Sequence, residues 1–283
     1  MSIERDDSGR FNIDTPLMAE SLMDKNLLAQ GGTIPPFRVL PELNVIKFGG
    51  QSIMDRGREV VLPLIEELAD LRGKHQLLLM TGGGTRSRHA YTIGMDLNMP
   101  TGILARLGGS ISEQNALMLA TLLAPIGGVK IAHEDVVKLP GYLTLGAIPV
   151  MPAMPPYNLW EETPALGRIP ERRTDFGTFL LAEVVGAKRC IFVKDEEGLY
   201  SADPKKDPSA ELIERIEVND LIARDLDDLA VERAMLGAMQ KARSMKAVQI
   251  INGRVRGNLT KALQGEAIGS TIYLADADAD DNA

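Results

Sequence analysis

The chain has 283 residues, of which 45% are hydrophobic and 25% charged, and a formal net charge of −8. That composition supplies ample apolar side chains for a core and excludes disorder throughout. The acidic balance excludes broad contact with nucleic acid or an anionic membrane surface, so any anion site has to be local.

Met1 to Arg10 is charged and lacks the apolar run of a secretory signal, and no stretch approaches the roughly 18 apolar residues of a membrane span. Residues 1–40 mix charges with Gly31-Gly32 and Pro35-Pro36 without a sustained period, which predicts an arm that can grip a neighbouring subunit. Residues 41–275 then read as a single α/β domain, and 276–283 as an acidic, solvated tail.

Within the domain, apolar runs at Val45-Ile46, Leu77 to Met80, Ala147 to Val150, Ile191 to Val193, Val248 to Ile251 and Thr271 to Leu274 predict buried strands. Between the first two, Val60, Val61, Leu64, Ile65, Leu68 and Leu71 fall on one helical face, with Glu59, Glu66 and Glu67 largely elsewhere. Pro63 is expected near that helix's first turn, where it is tolerated. Alternating strands and helices predict a mainly parallel sheet sandwiched by helices, with ligand-binding loops at the carboxyl ends of the strands. The lone cysteine, Cys190, sits in an apolar strand, so a buried, reduced thiol and a cytoplasmic location are expected.

Two strands end in glycines. Val45 to Gly50 places Lys47 just before Gly49-Gly50, and Leu79 to His89 runs through Gly82-Gly83-Gly84 into Arg86 and Arg88. Glycine lets the backbone approach an anion without a Cβ in the way, and lysine adds a point charge. Either turn alone could be structural, and the two arginines could pair with surface carboxylates instead of an anion. Neither a Walker A sequence nor a convincing dinucleotide fingerprint occurs.

Lys47-Phe48-Gly49-Gly50, Gly82-Gly83-Gly84, Arg173-Thr174-Asp175, Glu197 to Lys205 and Gly257 to Glu266 together resemble, in this order, the bacterial uridylate kinases of the amino-acid-kinase superfamily. Gly49 to Arg58, Thr85 to His89, Met154 to Tyr157 and Val193 to Tyr200 resemble the molybdenum storage family, its beta-type subunits in particular. The resemblance implies an amino-acid-kinase-like three-layer fold, with ATP and Mg2+ as cofactors and molybdate or tungstate oxoanion clusters as stored ligand. It also implies a homologous alpha-type subunit, or copies of the chain itself, as partner in a hexameric trimer of dimers.

Carried over residue by residue, the resemblance implies that Lys47, Gly49, Gly50 and Gly82 to Gly84 face phosphates. Thr174 and Lys194 join them, while Tyr200, Asp203, Pro204 and Lys205 border the nucleotide. Asp175 would orient Lys47 or a magnesium-bound phosphate; alternatively it caps a helix beginning near Phe176. Phosphoryl transfer needs chiefly positioning and charge, so Lys47 and Asp175 would carry any catalysis. Arg86, Arg88 and Gln114 are the candidate anion or substrate residues. The sequence departs from uridylate kinases at Gln114, where those enzymes place an aspartate in a helix beginning near residue 112, and this argues against UMP as acceptor. Lys194, where the storage family's other subunit carries a carboxylate, would repel magnesium.

His133, beside Glu134, could anchor an oxomolybdate cluster or be a solvated loop histidine. Met151 to Trp160 is apolar and proline-stiffened, fit to line a cage or subunit contact or to tuck over its own sheet. The leading expectation is a molybdenum or tungsten storage subunit. The alternatives are a UMP kinase using ATP and a non-catalytic structural partner.

Overall fold

A computed structural model describes residues 3–5, 7, 9, 11–13, 37–156 and 167–275. The chain divides into two compact units, 1–37 and 38–283. In the first, β1 (Ile3–Arg5) pairs with β2 (Phe11–Ile13) antiparallel. The remainder of the expected arm, residues 14–36, lies outside the described residues, as does the expected tail from Asp276 to Ala283.

The second unit is built on an eight-stranded sheet. Its strands are β3 (Leu43–Phe48), β4 (Gln76–Thr81), β5 (Gly128–Lys130), β6 (Ile148–Pro152), β7 (Arg189–Lys194), β10 (Arg215–Glu217), β11 (Ala247–Asn252) and β12 (Ser270–Tyr273). A separate pair, β8 (Leu199–Tyr200) and β9 (Leu212–Ile213), is antiparallel. The sheet order is β10-β12-β11-β7-β3-β4-β6-β5. All six predicted strands are present. The sheet is parallel from β11 to β5, and β12 runs antiparallel to β11. An apolar run carries no direction, so that reversal had no sequence signal.

Helices α1 (Arg58–Leu71), α2 (Thr85–Asp96), α3 (Thr101–Leu123), α4 (Leu139–Thr144), α5 (Thr174–Val185), α6 (Val218–Arg224), α7 (Arg233–Met239) and α8 (Asn258–Gln264) connect the strands. Two apolar clusters form the layers. One gathers Phe179 and Ala182 of α5 with Val45, Phe192 and Val248; the other gathers Leu64 and Leu68 of α1 with Leu119, Ile46 and Ile191. Alternate side chains of one strand therefore point into opposite layers, as a sheet covered on both faces requires. Phe48, Phe179 and Phe192 are wholly buried, each contributing about 1.5–3 kcal/mol of transfer free energy. Cys190 is free and buried, and burial pushes its thiol well above the usual range.

Four expectations need correction. Pro63 lies in the second turn of α1, because the helix starts at Arg58. Glu67 is buried on the packed face instead of lying off it: its carboxylate accepts N–H bonds from Gly257 (3.2 Å) and Thr260 (2.6 Å), capping α8. The helix carrying Gln114 begins at Thr101, not near residue 112, since Pro100 opens it and Gly108-Gly109 continue it. Gly108 is tolerated there because Tyr91 crosses it; a Cβ would stand 1.9 Å from the Tyr91 hydroxyl. Lastly, α5 begins at Thr174 and not near Phe176, so Asp175 is inside its first turn.

Of the apolar run from Met151, residues Met151, Ala153 and Met154 are buried against their own chain, and Tyr157 to Trp160 lie outside the described residues. Among the described residues, no helix is long and apolar enough to cross a membrane.

Candidate functional site

The carboxyl ends of β3, β4 and β7 open into a cleft of about 730 Å³. Parallel strands end on the same side, so the turn after β3 and the turn after β4 meet there. They touch. A Cβ on Gly50 would stand 2.1 Å from the Gly84 nitrogen, and one on Gly82 would stand 2.7 Å from the Gly50 nitrogen. Glycine is thus required for the two turns to pack against each other, before any ligand is considered. Gly82 N–H donates to Phe48 O (3.0 Å) and Gly49 N–H to Val193 O (3.1 Å), tying both turns to the strand ends.

The second turn is braced from α3 by residues the sequence reading did not single out. Asn115, fully buried, donates through Nδ2 to Gly82 O (2.6 Å) and Gly83 O (3.3 Å). Ser112 donates to Thr81 O (2.6 Å) and accepts from Ala153 N–H (3.1 Å). Asp55 accepts Thr85 N–H (2.6 Å) at the start of α2. Beside Gly83, the Ser87 hydroxyl is buried, lines the cleft and has no hydrogen-bond partner among the described residues. A buried hydroxyl left unpaired is costly, and a ligand oxygen in the cleft would satisfy it.

Asp175 anchors the floor. Its Oδ1 accepts Lys47 Nζ, and Lys194 Nζ lies 3.3 Å from both of its oxygens. Burial pushes the Asp175 carboxyl up, but Lys194 and Lys47 outweigh that and hold it down at about 2. Burial likewise lowers the Lys194 ammonium, against the pull of Asp175. The helix cap that the sequence offered as Asp175's alternative role belongs to Glu232. Its carboxylate accepts N–H bonds from Arg173 (2.9 Å), Asp175 (3.1 Å) and Phe176 (3.1 Å). Burial and the neighbouring Asp175 push the Glu232 carboxyl up. No local signal marks Glu232, because it reaches α5 from more than fifty residues away in sequence.

Lys47, Gly49, Gly50, Gly82, Gly83, Gly84, Thr174, Asp175, Lys194, Tyr200, Asp203, Pro204 and Lys205 all line this one cleft. Arg88 lines it too, but Arg86 turns away. Arg86 donates to Gln114 Oε1 (2.8 Å) and to Asn115 Oδ1, so it supports the second turn through α3 and does not join Arg88 in a shared anion clamp. Gln114 is exposed and occupied by Arg86. His133 lies off the cleft in a short turn, where burial lowers its imidazole and a hydrogen bond to the Met154 backbone partly offsets that. Among the described residues, no cluster of three or more His, Cys, Asp or Glu side chains could hold a metal ion.

The carboxylates that line the cleft are all engaged. Asp175 holds two lysines; Asp195 holds Arg56 and Lys205; Glu196 holds Lys205, and Lys206 binds Asp203 and Asp228. Glu232 is committed to backbone N–H groups. This donor set fits a polyanion better than a resident divalent cation, which needs uncommitted oxygens.

A mainly parallel sheet with paired glycine turns, a buried lysine at the carboxyl ends and a three-layer build is that of a kinase-type fold. Residues 42–256 match the model of the amino acid kinase family, and the chain belongs to that family. The chain is similar to the molybdenum storage protein subunit beta of Azotobacter vinelandii, at 46% identity over 256 residues, covering 90% of this chain and 95% of that protein. A uridylate kinase of Thermofilum pendens is 28% identical over 246 residues, covering 82% of this chain and 98% of that protein. The crystal structure of uridylate kinase from Archaeoglobus fulgidus matches with a TM-score of 0.62 at 21% identity, covering 81% of this chain and 99% of that chain. At that identity the likeness concerns the fold.

Proposed function

We propose that the chain is a subunit of a molybdenum or tungsten storage complex, binding ATP in the cleft and keeping oxomolybdate clusters within an oligomeric cage. The observation that carries this reading is the convergence of both glycine turns and Lys47 on one cleft, in a chain 46% identical to a storage subunit over nearly its whole length. The partner is a homologous alpha-type subunit or further copies of this chain, arranged as a hexameric trimer of dimers.

In this reading the backbone of Gly49-Gly50 and Gly82 to Gly84 cradles the phosphates, and Ser87 and Arg88 donate to their oxygens. Lys47 and Lys194 share one carboxylate, so the floor keeps a surplus positive charge that offsets the triphosphate. Tyr200, Pro204 and Lys205 border the nucleoside. Lys194, which repels magnesium, screens phosphate charge from the protein side instead, which favours holding ATP over turning it over.

Metal analysis of the complex purified from molybdate-fed cells tests the storage role, with molybdenum or tungsten expected well above one atom per chain. Absence of both metals at every loading condition contradicts it. UDP formation from UMP and ATP by the purified chain would favour the uridylate kinase reading instead.

A further inference from the structure

At the opposite end of the sheet, the amino ends of β3, β4, β6 and β7 enclose a second pocket, of about 520 Å³. Its wall holds Arg72, Lys74, His75 and Lys188 against a single carboxylate, Glu42. Glu42 is already taken by Lys188, and Lys188, Arg38 and Arg189 hold its carboxyl below the usual range. Among the described residues, Arg72 and Lys74 have no carboxylate partner.

Gathering cations without counter-charges is unfavourable by itself, and in a chain of net charge −8 it is also against the global balance. Burial, together with Arg189, Lys188 and Lys74, lowers the His75 imidazole, so at neutral pH it offers an N–H donor without further repulsion. The pocket's floor is preformed: Asn44, fully buried at the start of β3, donates to Gln76 O (3.1 Å) and fixes the mouth between β3 and β4. Arg72 reaches over the turn at Gly127, where a Cβ would stand 3.7 Å from its terminal nitrogen.

We propose that this amino-end pocket binds a tetrahedral dianion of the phosphate, molybdate or tungstate class, either free or as the end group of a phosphomonoester. Arg72 supplies a bidentate fork, Lys74 and Lys188 supply point charges, and His75 supplies a neutral donor. The site is separate from the cleft, since the two share no residue.

Crystals of the full chain soaked in sodium tungstate, with equilibrium dialysis of tungstate against phosphate and glycerol 3-phosphate as competitors, test it. An anomalous peak is expected between Arg72, Lys74 and Lys188, both in the wild type and in Lys47→Ala, whose cleft is weakened. The exposed double variant Arg72→Glu, Lys74→Glu should lose that peak and bind tungstate at least tenfold more weakly at this site, while ATP binding in the cleft persists. Competition by phosphate alone assigns a free oxyanion, and stronger competition by glycerol 3-phosphate assigns a phosphomonoester. No peak in the pocket, or an unchanged affinity in the double variant, overturns the proposal; Lys188→Ala repeats the test if the double variant does not fold.

Discussion

Lys194 and Asp175 meet with Nζ 3.3 Å from both carboxylate oxygens, although Asp175 already accepts Lys47. Two ammonium groups therefore share one buried carboxylate. Neutralising that carboxylate would leave the buried Lys47 and the half-buried Lys194 without a counter-charge. Asp175→Asn is expected to destabilise the fold by about 3–5 kcal/mol, the usual cost of breaking a buried pair from one side. Urea denaturation at neutral pH measures it, and a loss under 1 kcal/mol would show that the pairs matter little.

The same carboxylate sets an acid limb. Its folded value of about 2 lies below the ordinary 3.8, so the stabilisation is complete above the unfolded value and drains away as pH falls through the folded one. With ~1.4 kcal/mol for each pH unit of difference, about 2–3 kcal/mol is at stake. Stability measured between roughly pH 4 and 2 should therefore fall more steeply in the wild type than in Asp175→Asn; parallel slopes would contradict the pairing.

Gly50→Ala should be among the more damaging single-methyl insertions in the chain. Its Cβ meets backbone of the other turn at 2.1 Å, whereas a Cβ at Gly83 meets the Ser87 hydroxyl, a side-chain atom that can rotate, as well as the Ser87 Cβ. Overpacking that forces backbone apart costs about 1–3 kcal/mol or more. Thermal melts and ATP titrations of the two variants should rank Gly50→Ala well below Gly83→Ala on both counts.

Ser87→Ala removes a hydroxyl that has no partner among the described residues. The free protein should keep or slightly gain stability, while ATP affinity falls by about fivefold, the worth of one hydrogen bond near 1 kcal/mol. Calorimetry separates the two effects, and a stability loss with unchanged affinity would assign Ser87 a purely structural role.

Glu67→Ala provides the contrast. It uncaps α8 through residues that do not line the cleft, and an uncapped helix end costs about 0.5–2 kcal/mol. Denaturation should show that loss, with ATP affinity unchanged within error.

The sheet and both glycine turns were legible because apolar runs, glycines and the preceding lysine are adjacent in sequence. Residues that act across the fold were not. Asn115 and Ser112 sit mid-helix in the largely polar stretch Ser110 to Asn115, where no single polar side chain stands out, and their partners are the backbone of the distant second turn. Glu232, Glu67 and Asp55 cap helices far from them in sequence, and a cap supplied from elsewhere leaves no motif at the helix start. Arg86 and Arg88 looked equivalent two residues apart, but a helix separates such positions by about 200°, so only Arg88 faces the cleft.

The crystal structure of the chain with ATP is the most direct measurement of all. The triphosphate is predicted to lie between Gly49-Gly50 and Gly82 to Gly84, with a phosphate oxygen in hydrogen-bond reach of Lys47. An empty cleft at saturating ATP, or phosphates bound against another surface, would contradict it.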